Sequence, residues 1–168
     1  MPRPSPKSQY KVVKERMIFV ILNPLSKEFF VANTLSHRMR KTYCLHYIGE
    51  KYKTKNSIDE LKSKGLKPCC FELEIVNCTE IQAYRYQIVW TKIFMEQGYK
   101  NLDKGNITYY AADLSPENIP LYEARKNIDL SKLTSCKNCL FPNYGRKMCP
   151  LKKEKMCNEN QKNISFGY

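Results

Sequence analysis

Two apolar segments near the beginning of the chain constrain its fold more than any other feature. The first runs without interruption from Met17 to Leu22 and is closed by Asn23-Pro24, a pair typical of turns. The second, Glu28-Phe-Phe-Val-Ala-Asn33, follows after a connection of hairpin length. Together they predict two short strands that pair in the antiparallel sense.

Later segments predict three helices and a third strand. Apolar residues recur at helical spacing over residues 35–47, with basic residues on the rest of the turn. A capping-box pattern that begins at Ser57 predicts a second, short helix, and the alternation over residues 71–75 predicts a strand with one solvated face. A second capping box at Thr79 opens a long helix that we expect to end near Gly98.

The fold class predicted from these elements is α/β, of the α+β kind. We expect a small three-stranded, mainly antiparallel sheet flanked by helices, with a C-terminal four-cysteine metal-binding appendage. A chain of 168 residues is long enough for one core and such an appendage. The predicted organisation is a flexible basic arm over 1–15, the folded domain over 16–103, a connecting helix or loop over 104–132 and a Cys-rich basic tail over 133–168.

The net charge of +13 is unevenly distributed along the chain. Residues 1–70 hold 15 Lys and Arg against 5 Asp and Glu, residues 71–132 hold 7 against 9, and residues 133–168 hold 7 against 2. Two basic segments flanking a nearly neutral one favour a polyanionic partner, since each neutralised phosphate releases counterions. The alternative is a lysine-rich composition that serves solubility.

Hydropathy excludes a membrane partner from the predictions. No apolar run approaches the roughly 20 residues that a membrane span needs, and the first residues lack the apolar region of a secretory signal. We therefore expect a cytoplasmic protein, in which eight cysteines indicate thiols or metal ligands rather than disulfides. No motif for a small-molecule cofactor is evident.

The order of the predicted elements and the spacing of two motifs resemble the GIY-YIG nuclease domain over residues 17–102. Ile18-Phe19 stands at the first motif of the family, and Phe30-Val31-Ala32-Asn33-Thr34 stands where the family has YIG-x-T, with ten residues between Phe19 and Phe30. In the family, an Arg follows on the next helix, then a His or Tyr, and a metal-binding Glu on the later long helix. The resemblance places the catalytic positions at Phe19, Phe30, Arg38 or Arg40, His46 and Gln87.

Several of these positions carry residues that cannot perform the chemistry that the resemblance implies. The family uses a tyrosine phenol near the attacking water and a carboxylate on a divalent cation. Phe19 and Phe30 have no ionisable hydroxyl, and Gln87 offers a neutral carbonyl where Mg²⁺ favours a carboxylate. Ala32 also replaces a glycine of the motif. Candidate replacement carboxylates, each also explained as a solvated surface charge, are Glu72, Glu74, Glu80 and Glu96.

A basic stretch with interleaved tyrosines follows the second motif. Such a composition can pair with phosphates and stack on bases. The alternative is a solvated helix face with tyrosines half buried in the core. The predicted nucleic-acid-binding residues are Arg38, Arg40, Lys41, Tyr43, Lys51, Lys53 and Lys55, with Arg146 and Lys147 in the tail.

The tail carries the spacing C-x2-C-x9-C-x7-C through Cys136, Cys139, Cys149 and Cys157. A segment this small cannot bury a core of its own, and four thiolates on a structural Zn²⁺ would stabilise it. The alternatives are thiols without a ligand and an iron–sulfur cluster. The remaining cysteines, including adjacent Cys69-Cys70, are expected to be small buried hydrophobes.

Three functions are compatible with the sequence, and enzyme activity is left open among them. The first is a nucleic-acid-binding protein on a catalytically degenerate GIY-YIG scaffold, with DNA rather than RNA as the partner. The second is an active, divergent, Mg²⁺-dependent GIY-YIG endonuclease. The third is a protein-interaction module without nucleic acid, which competition by free DNA would distinguish.

Overall fold

A computed structural model describes residues 11–49, 53–142 and 150, without the side chain of Cys136. The strands are β1 (Lys14–Asn23), β2 (Glu28–Leu35), β3 (Cys69–Cys78) and β4 (Lys100–Asn101), and the α-helices are α1 (Met39–Ile48), α2 (Lys55–Ser63), α3 (Glu80–Glu96), α4 (Asn106–Ala112), α5 (Ile119–Glu123) and α6 (Leu130–Leu133). Short 3-10 turns cover Ser36–Arg38, Pro116–Asn118 and Cys136–Asn138. None of the described helices is long and apolar enough to span a bilayer.

The sheet has the strand order β3-β1-β2-β4, so β1 lies inside it. β1 pairs antiparallel with both β2 and β3, and Phe19 lies opposite Ala32. From Met17 to Asn23 every residue of β1 is buried. An inner strand covered on both faces is typically a continuous apolar run rather than an alternating one, which is the pattern seen in the sequence.

The hairpin between β1 and β2 is held by the side chain of Asn23. Its Oδ1 accepts hydrogen bonds from the backbone N–H groups of Leu25 and Ser26, at 3.1 and 3.3 Å. Lys27 closes the turn with a φ of 57°, a left-handed conformation that is uncommon for a residue other than glycine. The predicted antiparallel pairing of the first two strands is confirmed.

The mixed α/β class is confirmed, but the sheet has four strands rather than the predicted three. β4 is two residues long and lies parallel to β2, with the Lys100 N–H donating to the Lys27 carbonyl at 2.8 Å. A segment of two residues has no hydropathy period, so its pairing is decided by tertiary contacts. The sheet is therefore antiparallel in three strands and parallel at one edge.

The two faces of the sheet are covered by different helices. On the α3 face, Ile18 and Val20 of β1 pack against Val89 and Trp90 of α3. On the α1 face, strand residues pack against α1 and α2 through a second cluster, whose buried members include Met17, Phe19, Ile21, Met39, Tyr43 and Ile58. Alternate residues of each strand point to opposite faces, and this alternation decides which predicted site residues can meet.

The long helix α3 begins as its sequence predicts. The hydroxyl of Thr79 accepts from the Gln82 N–H at 3.2 Å, and the Gln82 side chain accepts from the Thr79 N–H at 2.9 Å. Gly98, just beyond the helix, has a φ of 91°. The region 104–132, predicted as connecting structure, contains α4, α5 and part of α6, with Pro120 at the beginning of α5, where proline is tolerated.

Candidate functional site

Three residues that the GIY-YIG resemblance predicts as catalytic meet on the α1 face. The ring of His46 lies 6.2 Å from that of Phe19 and 5.5 Å from that of Phe30, measured between centroids. Phe19 is completely buried. The motif positions on β1 and β2 therefore do adjoin the predicted histidine, within an apolar cluster.

Burial controls the charge of His46. His46 is only 4% exposed, and its Nδ1 lies 3.2 Å from the Thr54 hydroxyl oxygen. Desolvation lowers the pKa of His46 to about 4, because a buried imidazolium loses its hydration. At neutral pH the ring is uncharged, so His46 adds no positive charge to the surface.

Gln87 makes its contacts on the α3 face. Its side-chain oxygen accepts a hydrogen bond from the amide of Asn33, and its amide donates to the Val31 carbonyl at 3.5 Å. Asn33 in turn accepts from Nη1 of Arg16 at 3.3 Å. The hydrogen bonds of the Gln87 side chain thus tie α3 to β2 and β1, and Phe19, Phe30 and His46 are not among its partners.

Three cations form the basic cluster at the junction of β2 and α1. Arg38, Arg40 and Lys41 are all exposed, and the first turn of α1 contains no acidic residue. A hydrogen bond of 2.9 Å between the Thr34 and Thr42 hydroxyls fixes this end of the helix to β2. Basic side chains at a helix N-terminus add to the positive end of its dipole, so this junction attracts anions.

Other predicted nucleic-acid contacts are placed differently by the structure. Tyr43 is completely buried, donates from its hydroxyl to the Pro68 carbonyl at 2.8 Å and stacks on Phe141, so the prediction that it contacts nucleic acid is wrong. The helical spacing of apolar residues over 35–47 does not show how deeply Tyr43 is buried. Burial, the largest cause, raises the pKa of Tyr43 well above its usual value.

Two predicted lysines are engaged in surface ion pairs. Lys53 lies 2.5 Å from Asp103, and Lys55 lies 2.7 Å from Asp59. Exposed pairs of this kind contribute little to stability, and each acid reduces the local positive charge. Lys51, Arg146 and Lys147 lie outside the described residues.

The candidate replacement carboxylates have other surroundings. Both oxygens of Glu74 accept from Arg125 at 2.9 Å, and Oε1 also accepts from the Trp90 indole at 2.7 Å. Glu96 is bound by Lys92 and by the hydroxyl of Tyr122. Glu72 and Glu80 are exposed. Glu74 and Glu96 thus serve as structural partners.

Cys139 is docked onto the edge of β3. It lies opposite Phe71 in an isolated antiparallel bridge, and the following N–H, of Leu140, donates to the Cys70 carbonyl at 2.8 Å. Burial raises the pKa of the Cys70 thiol well above its usual value, nearby Cys139 adds to the rise, and Lys67 opposes it. Cys139 is thereby brought beside the adjacent pair Cys69-Cys70, both buried as expected.

Cys139 is the one predicted zinc ligand whose side chain the structure describes. Cys149 and Cys157 lie outside the described residues, and the Cys136 side chain is not described. Among the described residues, no group of three or more His, Cys, Asp or Glu is arranged to hold a metal. Lys67 is completely buried near Cys70, and its Nζ has no hydrogen-bond partner in the described part of the chain.

Sequence reasoning missed a group of exposed tyrosines. Tyr109 and Tyr110 on α4 are 72% and 46% exposed, and Tyr84 on α3 is 38% exposed. α4 falls in the region predicted as connecting structure, in which no binding residue is predicted. The helical spacing of Ile107 and Ala111, which are buried against Ile88, was the available signal that Tyr109 and Tyr110 face outward.

Comparison with known proteins gives no relative from which to transfer a function. No family model, no curated protein and no solved structure matches this chain.

Proposed function

We propose that this chain binds nucleic acid, with DNA as its partner, through the basic cluster of Arg38, Arg40 and Lys41. The observation that carries the proposal is the exposure of all three cations at one helix start that contains no acidic residue in its first turn. Phosphate contacts of this kind position a protein on nucleic acid without reading its sequence. The excess charge of the whole chain, +13, favours association with a polyanion in the same sense.

The scaffold that we propose is a GIY-YIG-like domain without nuclease chemistry. Phe19 is buried in an apolar cluster and has no proton to transfer. The side-chain amide of Gln87 is already hydrogen-bonded to Asn33 and Val31 of β2. An amide oxygen is also a weaker ligand for Mg²⁺ than a carboxylate. His46 is held neutral by burial on the other face of the sheet. These features support binding without cleavage, while the alternative, an active nuclease, would need Mg²⁺ on a carboxylate such as exposed Glu72 or Glu80.

We further propose that Cys136, Cys139, Cys149 and Cys157 hold a structural Zn²⁺. Support comes from Cys139, whose backbone pairs with Phe71 of β3, so one proposed ligand is held against the sheet. A zinc centre of four thiolates carries net negative charge, and the buried Lys67 side chain near Cys70 offers a nitrogen donor beside Cys139. In the cytoplasm, where we place the chain, these thiols would stay reduced. Zinc supplies no chemistry in the proposal beyond holding the tail.

The test combines gel shift and cleavage of supercoiled plasmid, with and without Mg²⁺ or Mn²⁺, using metal-analysed protein. We expect binding that needs no divalent cation, no nicking, and a steep decline of affinity as salt rises. The triple variant Arg38→Ala, Arg40→Ala, Lys41→Ala should weaken binding and reduce the salt slope by about one for each lost phosphate contact.

The matched control removes the same charge elsewhere, with Lys64→Ala, Lys126→Ala and Lys132→Ala. Its affinity should fall much less, because these lysines lie outside the junction of β2 and α1, at or near the ends of α2, α5 and α6, and two of them pair with acids. An equal loss in both triple variants would contradict a localised interface. Mg²⁺-dependent nicking that disappears with Arg38→Ala would instead establish the active nuclease.

A further inference from the structure

The exposed tyrosines of α4 are held outward by the packing of their own helix. Ile107 and Ala111, one turn apart, are buried against Ile88 of α3. Because a helix turns about 100° per residue, Tyr109 points away from that contact and Tyr110 points to one side of it. Their ring centroids lie 5.7 Å apart at an interplanar angle of 75°. A ring that is 72% exposed, as in Tyr109, contributes little to the core.

A third ring and a lysine adjoin this pair. Tyr84 lies one helical turn before Ile88 on α3, the residue against which α4 packs. Burial is the largest cause that raises the pKa of Tyr84, Asp103 and Tyr110 raise it further, and Lys53 lowers it. Asp103 holds Lys53 through the 2.5 Å ion pair and also accepts from the Gly105 N–H at 2.9 Å. The lysine is thus positioned beside the rings by the turn that begins α4.

Gly105 makes this arrangement possible. A side chain at this position would place its Cβ 3.1 Å from the Asp103 carboxylate and 3.2 Å from Nζ of Lys53. Contacts this short would require the carboxylate or the ammonium group to shift by a few tenths of an ångström. Glycine at position 105 therefore leaves the ion pair its space at the edge of the rings.

We propose that Tyr84, Tyr109 and Tyr110 form a stacking surface for the unpaired bases of single-stranded DNA, with Lys53 at its edge reaching a phosphate. The inference rests on the proposed function and narrows it to a substrate class. Bases of a duplex are stacked on one another, whereas the flat faces of unpaired bases can stack on protein aromatics whatever their sequence. The charge of the partner suits a chain with a net charge of +13.

The test measures fluorescence anisotropy of labelled DNA of one mixed sequence, as a single strand and as a duplex, and of the matching RNA strand. In the double variant Tyr109→Ala, Tyr110→Ala, affinity for single-stranded DNA should fall by about tenfold or more, since stacking on each base contributes strongly to binding. Duplex affinity should be unchanged. Tyr109→Phe, Tyr110→Phe keeps the rings and should retain the affinity of the wild type.

Ile119→Ala is the matched control for removal of an exposed apolar side chain, because Ile119 is also exposed but lies on α5. It should leave both affinities unchanged. If the wild type binds the DNA but the alanine variant binds the single strand equally well, the stacking surface is refuted while the basic cluster stands. If the wild type binds neither form, the proposed function fails and the inference fails with it. Tyrosine-dependent binding confined to the RNA strand would overturn the choice of DNA.

Discussion

The two faces of the sheet are built by different means. On the α3 face, polar side chains take part in the packing, and each contacts a placed partner: Glu74 binds Arg125 and Trp90, and Gln87 binds Asn33. On the α1 face, the partner of the aromatic rings is His46, which burial keeps neutral. At these positions the carboxylate of Glu74 lies between the layers beside an opposite charge and an indole donor, whereas buried His46 is neutral.

Removal of Trp90 should give the largest effect and tests whether the α3 face is the main core. Trp90 is almost fully buried, and its indole donates to Glu74. Trp90→Ala should lower the free energy of unfolding by about 3–5 kcal/mol, through lost burial and a cavity. Chemical denaturation followed by circular dichroism measures this. The exposed control Ile119→Ala should change it by less than about 0.5 kcal/mol. A similar small change in both variants would refute α3 as the main core helix.

Acid should destabilise the α1 face through His46. In the folded protein the pKa of His46 is about 4, below the ordinary 6.5. Between pH 4 and 6.5 the unfolded state therefore binds a proton at His46 more readily than the folded state does. The contribution of neutral, buried His46 to the free energy of unfolding is therefore fully present above pH 6.5 and is lost as the pH falls toward 4. The loss should approach about 3 kcal/mol, since each pKa unit corresponds to about 1.36 kcal/mol.

The measurement is a set of denaturation curves from pH 7 to 4 for the wild type and His46→Asn. Asn has no titrating group, so the variant should show a flatter dependence over this window. Parallel curves for the two proteins would mean that His46 is solvated and protonates normally.

The ion pair on the α3 face should have an intermediate effect. Arg125 and Glu74 have side chains that are 19% and 20% exposed, and Arg125→Met would leave Glu74 with the indole of Trp90 as its remaining donor. A loss of about 1–2 kcal/mol in unfolding free energy is expected, because a mostly buried carboxylate loses its counter-charge.

Arg85→Met is the matched control for that substitution, since Arg85 pairs with Glu117 in a largely exposed bridge. Its effect should stay within about 0.5 kcal/mol. If Arg85→Met costs as much as Arg125→Met, burial is not what gives the α3 network its stability.

Gln87→Glu should have the smallest effect on stability. It tests the position where the GIY-YIG resemblance predicts a metal-binding Glu. The amide of Asn33 can still donate to a carboxylate, so unfolding free energy should change by less than about 1 kcal/mol. Plasmid nicking with Mg²⁺ should remain absent, because the predicted catalytic positions on the other face hold Phe19, Phe30 and the neutral imidazole of His46. Nicking by this variant alone would mean that a single carboxylate was the missing part of an active nuclease.

Much of the secondary structure was readable from local pattern. The hairpin of β1 and β2, the strand after Pro68 and the capping box at Thr79 all appear where spacing predicts them. Boundaries were less accurate: α1 begins at Met39, after a 3-10 turn, rather than at Leu35. Helix ends depend on a few weak bonds, so the sequence period locates them only approximately.

The sequence by itself determined the central hairpin, the covering helices and the basic cluster, because hydropathy period, turn chemistry and charge are local properties of the chain. Tertiary structure alone decided that β4 adds to the sheet, that Tyr43 lies in the core and that Cys139 meets β3. The tertiary structure also placed Gln87 and His46 on opposite faces of the sheet. These outcomes depend on which distant residues pack together, and long-range packing leaves no period in a single sequence.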